Sequence, residues 1–440
     1  MKIFQSYQNF LTEQLSKTSK FDGRFLLLVI LILYFLPILF TSKFFTYYPD
    51  SWSDSYLIYP LVSKMLPPFA DMRVITAGAE CIRLGYDVLI KNPCDPWHRP
   101  MNYPQIWAIL ANWGLNQSHT VALGILCGLL FFALTFVTIK RLNYVESLLY
   151  ALVLCSPSVM LTVERGNNDL IIFIILALSL LAIKGRNLIQ RSLGYILILF
   201  AAILKLYPIF ALISCLKEKR RNFFLIFLAL VISFGIYVIG NLESLYLVSK
   251  ATPRSTFLAY GIKVLFNVFL LELSNFSIIV FKQGFIKFFQ IVMLIIFNIT
   301  IFIVILKAYD LAKNEEEFHQ QESEWETNQI DVFRIGASIY LGSYLIGNNW
   351  DYRLIFLLFT IPQILAWIKS RNCFAKISGL ALVGIILTTW ISYDTYRFFY
   401  LDEIINWLLF LFYVYTLILT LPKWLKSYMY LQPRDLEASS

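Results

Sequence analysis

The sequence predicts an all-α, polytopic membrane protein with about twelve transmembrane segments. Three observations predict it. Of its 440 residues, 58% are hydrophobic and only 15% charged, far from the composition of a soluble domain. The apolar residues fall in long runs, the pattern of helices in lipid. The basic residues, which leave a net charge of +9, gather at the ends of those runs, where they set topology; the positive excess is therefore no sign of a nucleic-acid partner.

Residues 1–24 come first. Ile3, Phe4, Tyr7, Phe10, Leu11 and Leu15 mark one helical face, with Lys2, Lys17, Lys20 and Arg24 around it. This reads as an amphipathic helix on the cytoplasmic leaflet, and the long run that follows lacks the small-residue site of a cleaved signal. Apolar runs then lie at 25–45, 120–139, 145–163, 168–183, 192–204, 206–216, 222–242, 284–307, 332–347, 354–369, 374–393 and 403–422, together a transmembrane domain over 25–422. Lys140-Arg141, Lys184 with Arg186 and Arg191, Lys217 with Lys219-Arg220-Arg221, Lys369 with Arg371 and Lys376, and Lys423 with Lys426 all face the cytoplasm when both termini do. The tail 423–440 is then cytoplasmic.

Residues 192–216 begin and end beside basic clusters, which a single pass would put on opposite faces. The stretch carries Lys205-Leu206-Tyr207-Pro208 at its middle, and proline breaks a helix while lysine is costly in lipid. We read a short helical hairpin with Lys205 at its sunken tip; the competing reading is one long tilted helix with an external basic cluster. The pair 145–163 and 168–183 behaves alike, with Lys140-Arg141 and Lys184 at its base and Glu164-Arg165-Gly166-Asn167-Asn168-Asp169 at its tip. Irregular, charged backbone at that depth is tolerated only inside protein or against a water-filled cavity.

The longest non-spanning stretch, 46–118, interleaves prolines and charges with Tyr47, Tyr48, Trp52, Tyr56, Tyr59, Phe69, Trp97, Tyr103, Trp107 and Trp113, so short amphipathic helices along the outer interface are expected. A second outer loop, 243–283, repeats that character with Arg254, Tyr260 and Lys263. The cytoplasmic loop 308–331 is acidic, with Glu315-Glu316-Glu317, Glu322, Glu324 and Glu326, and reads as a solvated segment. Cys127, Cys155 and Cys215 lie in apolar spans as packing residues. Cys81 and Cys94 share the first outer loop, where sequence leaves a disulfide open. No metal-ligand spacing is present.

Asp71 follows Pro67-Pro68 at the start of a stretch whose Val74, Ile75, Ala79 and Ile82 keep helical spacing. It is read in two ways: as a helix cap, or as a general base at the water–lipid boundary, where partial desolvation raises a carboxyl pKa. Asp50 and Asp54 compete for the second role. Arg165 and Lys205 at the two tips, and Arg353 in Gly347-Asn348-Asn349-Trp350-Asp351-Tyr352-Arg353, form a candidate cationic cluster for a lipid-linked phosphate. The alternative is internal pairing, Arg165 with Glu164 or Asp169 and Arg353 with Asp351. Asn167 and Asn168 suit sugar hydroxyls or a turn.

Several of these residues, in this order, resemble a known family. Asp71-Met72-Arg73-Val74 with Gly78-Ala79, Asn102-Tyr103-Pro104 ahead of a hydrophobic helix, Arg165-Gly166-Asn167-Asn168, Leu204-Lys205-Leu206-Tyr207-Pro208 and the basic stretch 217–221 look like glycosyltransferase family 87 of the GT-C superfamily. The resemblance covers residues 25 to about 400. The chain departs from the family pattern where many members carry Gly-Gln-x-Asn in place of Gly166-Asn167-Asn168-Asp169, and Tyr or Phe in place of Ile75.

The resemblance implies a GT-C-like fold and an inverting transfer of a hexose, typically mannose, from a polyprenyl phosphate to a hydroxyl of a glycan or glycolipid acceptor. The reaction takes place on the outer face of a bacterial-type plasma membrane, with no cofactor. Carried onto this chain, the family's aspartate falls on Asp71 as base; Arg165, Lys205 and Arg353 would meet the donor phosphate, and Tyr103, Asn168, Asp169, Tyr207 and Asp351 the sugars. Two rivals stand beside it: a transporter or flippase of a lipid-linked sugar, and an inactive scaffold of the cell envelope.

Overall fold

Wherever the structure describes an apolar run, that run is helical. The computed structural model describes residues 14–15, 22–44, 65, 67–255, 258–276, 283–314, 327–370, 374–391, 399–422 and 424–426. Most of the expected N-terminal amphipathic helix, Asp50, Asp54, the acidic residues of 315–326 and most of the tail lie outside them.

The chain runs through α1 (Arg24–Phe44), α2 (Ala70–Arg83), α3 (Thr120–Thr138), α4 (Tyr144–Leu154), α5 (Pro157–Arg165), α6 (Asp169–Ile183), α7 (Leu188–Leu204), α8 (Arg220–Gly240), α9 (Leu242–Ala251), α10 (Ile262–Phe276), α11 (Gln283–Asn314), α12 (Thr327–Ile346), α13 (Ile361–Lys369), α14 (Phe374–Ile391) and α15 (Phe399–Leu419). Tighter 3₁₀ helices span Gln105–Ala111, Tyr207–Lys217 and Asp351–Phe359. A two-stranded ladder, β1 (Ala259–Tyr260) antiparallel to β2 (Asn349–Trp350), is the one sheet among the described residues. The fold is therefore all-α. Among the described residues four helical spans are individually long and apolar enough to cross a membrane, at Gln117–Thr138, Arg220–Gly240, Lys287–Leu311 and Tyr400–Leu419; counting each of two bent pairs as one span raises the number to six.

The bent pairs refine the sequence reading. The run 145–163 is two helices, α4 and α5, meeting at 54°, and 354–369 is the 3₁₀ helix Asp351–Phe359 followed by α13 at 50°. Proline accounts for both breaks: Pro157 and Pro362 sit in the first turn of the second member, where a missing N–H costs nothing but the preceding helix cannot continue. The loop expected at 308–331 is also shorter, because α11 continues to Asn314 and α12 starts at Thr327.

The chain doubles back at Lys205. Glu218, just past the second arm, is bound by Arg191 at 2.5 Å and by the Tyr195 hydroxyl at 2.9 Å, both near the start of the first arm. One long tilted helix would put these residues at opposite ends. The arms differ in residue number, 17 in α7 against 11 in Tyr207–Lys217. At about 1.5 Å per α-helical residue and about 2.0 Å per 3₁₀ residue both reach roughly 22–25 Å, so the tight winding lets the shorter arm keep pace.

Other ion pairs hold the same base. Lys217 meets Asp331 at 3.1 Å, Asp331 meets Arg334 at 3.2 Å, and Lys369 meets Glu146 at 2.5 Å. At the other end α2 is fastened by Thr76 to Thr120 at 2.7 Å, by Arg83 to the carbonyls of Ala111 and Leu115, and by a Cys81–Cys94 disulfide. Closing a loop of that size limits the unfolded chain and is worth about 3 kcal/mol. Cys127, Cys155 and Cys215 are buried thiols, as expected of packing residues.

Candidate functional site

The site is assembled from the tips of the hairpins and the first turn of α2. Pro67 and Pro68 hold the approach extended, and Phe69 then takes a left-handed conformation with φ 59°, uncommon for a residue with a Cβ. Its ring makes the turn tolerable by packing where side chains are missing. A Cβ on Gly124 of α3 would lie 2.5 Å from that ring, and one on Gly166 would lie 3.0 Å from it. Phe69 occupies the cap position of α2 and no side chain caps the helix. The capping role considered for Asp71 is thus not the one it has: Asp71 sits in the first turn, and its carboxylate turns toward the polar hexapeptide.

That hexapeptide is a helix end joined to a helix start. Gly166, with φ 55°, terminates α5, and the amides of Gly166 and Asn167 bond back to the carbonyls of Val163 and Thr162. The Asn167 side-chain carbonyl accepts from the Asp169 amide at 2.9 Å, closing the first turn of α6. With its oxygen so engaged, its NH₂ donates to Asp71 Oδ2 at 2.6 Å. Asn167 therefore links the turn between α5 and α6 to α2.

Asp169, fully buried at the α6 N-terminus, collects the cations. Lys205 Nζ is 2.6 Å from its Oδ1 and also donates to Asn168 Oδ1 at 2.8 Å. The Tyr207 hydroxyl donates to the same Oδ1 at 2.7 Å, and Arg353 Nε lies 3.7 Å from Oδ2. A buried carboxylate at a helix N-terminus, among donors, offsets the cost of sinking two positive charges. Rings close around them: Lys205 is 5.5 Å from the centres of Tyr103 and Tyr352, and Arg353 lies 4.5 Å over Tyr207. The Trp107 indole donates to the Leu204 carbonyl at 3.1 Å and so ties the 3₁₀ helix Gln105–Ala111 to the Lys205 tip.

Arg165 pairs with Glu164 at 3.0 Å, one of the internal pairings weighed from sequence. For Arg353 the partner found is Asp169 together with the Asn349 side chain, whose carbonyl accepts from it. Asp351 is buried at the start of its 3₁₀ helix, where its electrostatic neighbours are Asp402, Glu403 and Tyr260. The structure thus brings Asp71, Tyr103, Asn168, Asp169, Lys205, Tyr207 and Arg353 into one constellation and sets Asp351 to the side of it.

Three further residues belong to the site. Arg99 holds Asp95 through two bonds, at 3.0 and 2.9 Å, donates to the Ala70 carbonyl at 2.6 Å, and brings Nη1 to 3.7 Å from Asp71 Oδ1. Asn167 and Tyr352 are the others. An Asn-Asn pair in the sequence does not say which member faces a partner, and Arg99 lies in a loop whose course the Cys81–Cys94 disulfide sets.

The Asp71 side chain keeps 20% of its surface exposed and is thus reachable from outside the protein. Burial of its surroundings raises its pKa above the ordinary carboxylate value, and the Asn167 hydrogen bond and the charges of Arg99, Arg165 and Lys205 pull the other way. A carboxylate whose pKa is raised is a stronger base than a free one. No group of three metal-binding side chains is found among the described residues. Compared with protein-family models, with curated proteins and with solved structures, the chain matches none.

Proposed function

We propose that this chain is an integral membrane hexosyltransferase that uses a polyprenyl-phosphate sugar, with mannose as the sugar its sequence resemblance implies. The observation that carries the reading is the reachable Asp71 carboxylate, fixed by Asn167 and backed by Arg99, beside two partly buried cations that share Asp169. Asp71 removes the proton of the acceptor hydroxyl as that oxygen bonds to the anomeric carbon. The bond from that carbon to the phosphate oxygen breaks, its electron pair leaves with the phosphate, and the anomeric centre inverts. Lys205 and Arg353 favour the departing negative charge, a type of stabilisation worth several kcal/mol, about 2.7–4 for one donor.

With twelve segments in a GT-C-like arrangement and both termini cytoplasmic, these groups face the outer leaflet, where a glycan or glycolipid acceptor is met. A transporter or flippase would hold its polar groups near the middle of the bundle. Here the tips of two hairpins, the first turn of α2 and the 349–353 junction put them at one end, which favours transfer.

Purified chain with polyprenyl-phosphate mannose and membrane extract tests the reading. The wild type is expected to release polyprenyl phosphate and to label an acceptor, and Asp71→Asn to lose about 10²–10⁴-fold of that rate. Full turnover by Asp71→Asn would sink the base assignment.

A further inference from the structure

A second cavity opens at the same end of the molecule, on the other side of the segment that carries Tyr103. Its volume is about 530 Å³, within the range of small-molecule sites. Ile82 of α2 and the loop residues Tyr86, Asp87, Val88 and Leu89 form one wall, and Asn241, Glu243, Ser244 and Leu247 at the α8–α9 turn form the opposite one. Met101 and Gln105 complete it, flanking Tyr103, whose ring faces Lys205.

The chemistry of the lining is selective. Two carboxylates, two amides and two hydroxyls stand over an aliphatic floor, and no lysine or arginine lines the cavity. An anionic headgroup would meet Asp87 and Glu243 without a cation, so the phosphate end of a donor lipid is excluded. A hydrocarbon chain would strip water from six polar side chains and give nothing back. A neutral saccharide suits both parts: its hydroxyls bond to carboxylates and amides, and its C–H faces lie on aliphatic carbon.

The polar groups are also available. Among the described residues the side chains of Tyr86, Gln105 and Glu243 make no hydrogen bond, whereas the Asn241 NH₂ is used by the Tyr237 carbonyl and leaves its oxygen for a ligand. The Tyr237 hydroxyl bonds to the Ile203 carbonyl at 3.2 Å, so the wall carrying Asn241 is braced against the Lys205 tip.

The geometry points to a saccharide-binding subsite between the first outer loop and the α8–α9 turn, which holds the sugar chain of the acceptor beside the Asp71 centre. The acceptor role rests on the transferase reading; the saccharide chemistry of the cavity does not.

The test measures binding of α-linked mannotriose to the full-length chain in lipid nanodiscs by calorimetry, with spermidine as a cationic control. Wild type and Asp71→Asn are expected to bind alike, because Asp71 is not in the cavity. Gln105→Ala with Glu243→Ala, both exposed side chains whose loss leaves the fold intact, is expected to weaken binding at least tenfold. In the transfer assay the same double variant is expected to raise the acceptor KM by a similar factor, with little change in kcat or in the KM of the donor. Failure of transfer with retained, cavity-dependent mannotriose binding would remove the acceptor role and keep the subsite. Absent mannotriose binding, binding indifferent to the double substitution, or tighter binding of spermidine would overturn the subsite itself.

Discussion

Asp71 and Asn167 form the pair on which the site turns. Folding raises the Asp71 pKa, so its ionised form is disfavoured in the native state relative to the unfolded chain. Protonation relieves this cost: stability is greatest below the unfolded value near 3.8 and declines as pH rises through the higher native value. The rate of a base-catalysed step moves the opposite way and climbs through that same native value. Asn167→Ala removes the NH₂ that holds the ionised form at 2.6 Å. The acid limb of kcat/KM against pH is expected to move to higher pH, and the rate at neutral pH to fall by about 10–100-fold, the range of a hydrogen bond to a charged group of about 1.5–3 kcal/mol. A pH–rate profile checks both, and an unmoved limb would mean that Asn167 does not set the base. Asp71, Lys205, Tyr207 and Arg353 were legible in sequence because charge or aromatic hydroxyl in an apolar setting stands out. Asn167 was legible as a turn or sugar-contact residue of the polar hexapeptide, and it does close the turn, but its bond to Asp71 was not, because that depends on which way the turn points its NH₂. Arg99 was not legible, because one more charge in a polar loop breaks no hydrophobic pattern.

Among the elements, α2 is positioned by a contact that no pattern announces. Its N-terminus is set by Phe69, whose left-handed backbone persists because the ring fills the space over Gly124 and Gly166. In sequence, Gly124 is one more small residue in an apolar helix. Gly124→Ala places a methyl 2.5 Å from the ring, so either Phe69 moves and takes Asp71 with it, or α3 shifts away. The expected cost is about 1–3 kcal/mol of stability, with a loss of transfer activity larger than the stability loss explains. Adding Phe69→Ala should restore part of the stability, and the interaction energy of the double-mutant cycle measures the contact; strict additivity would place the two residues out of touch. Helix boundaries such as those of 120–139 and 222–242, by contrast, were readable to within a few residues, because those runs end at charges or turn residues, whereas 284–307 and 332–347 were read too short because the helices run on past their apolar stretches into polar residues. The breaks at Pro157 and Pro362 were missed, since the hydropathy of 145–163 and 354–369 continues across each bend.

Over the whole molecule, charge separates into two kinds of end. One is held by Arg191 with Glu218, Lys217 with Asp331, and Lys369 with Glu146; the other carries Asp71, Asn167, Asp169, Lys205 and Arg353. Consecutive elements travel between them: α6 from Asp169 toward the base, α7 from Arg191 to Lys205, and Tyr207–Lys217 back to Glu218. Since Arg191 and Glu218 touch, the cluster at 217–221 stands on the same side as Arg191, and the positive-inside rule predicts that side to be cytoplasmic. Residue 114 lies toward the opposite end with Arg83 and Ala111. Alkaline phosphatase, active only outside the cytoplasm, reports the side when inserted in the full chain after Arg221 or after Gly114. The expected outcome is an inactive reporter at the first position and an active one at the second, with green fluorescent protein giving the reverse. An active phosphatase after Arg221 with an inactive one after Gly114 would invert the whole molecule, whereas activity at both positions would require the basic cluster to cross the membrane away from Arg191. That would break the Arg191–Glu218 pair, straighten the hairpin at Lys205, and dismantle the Lys205–Asp169 contact on which the floor of the site depends.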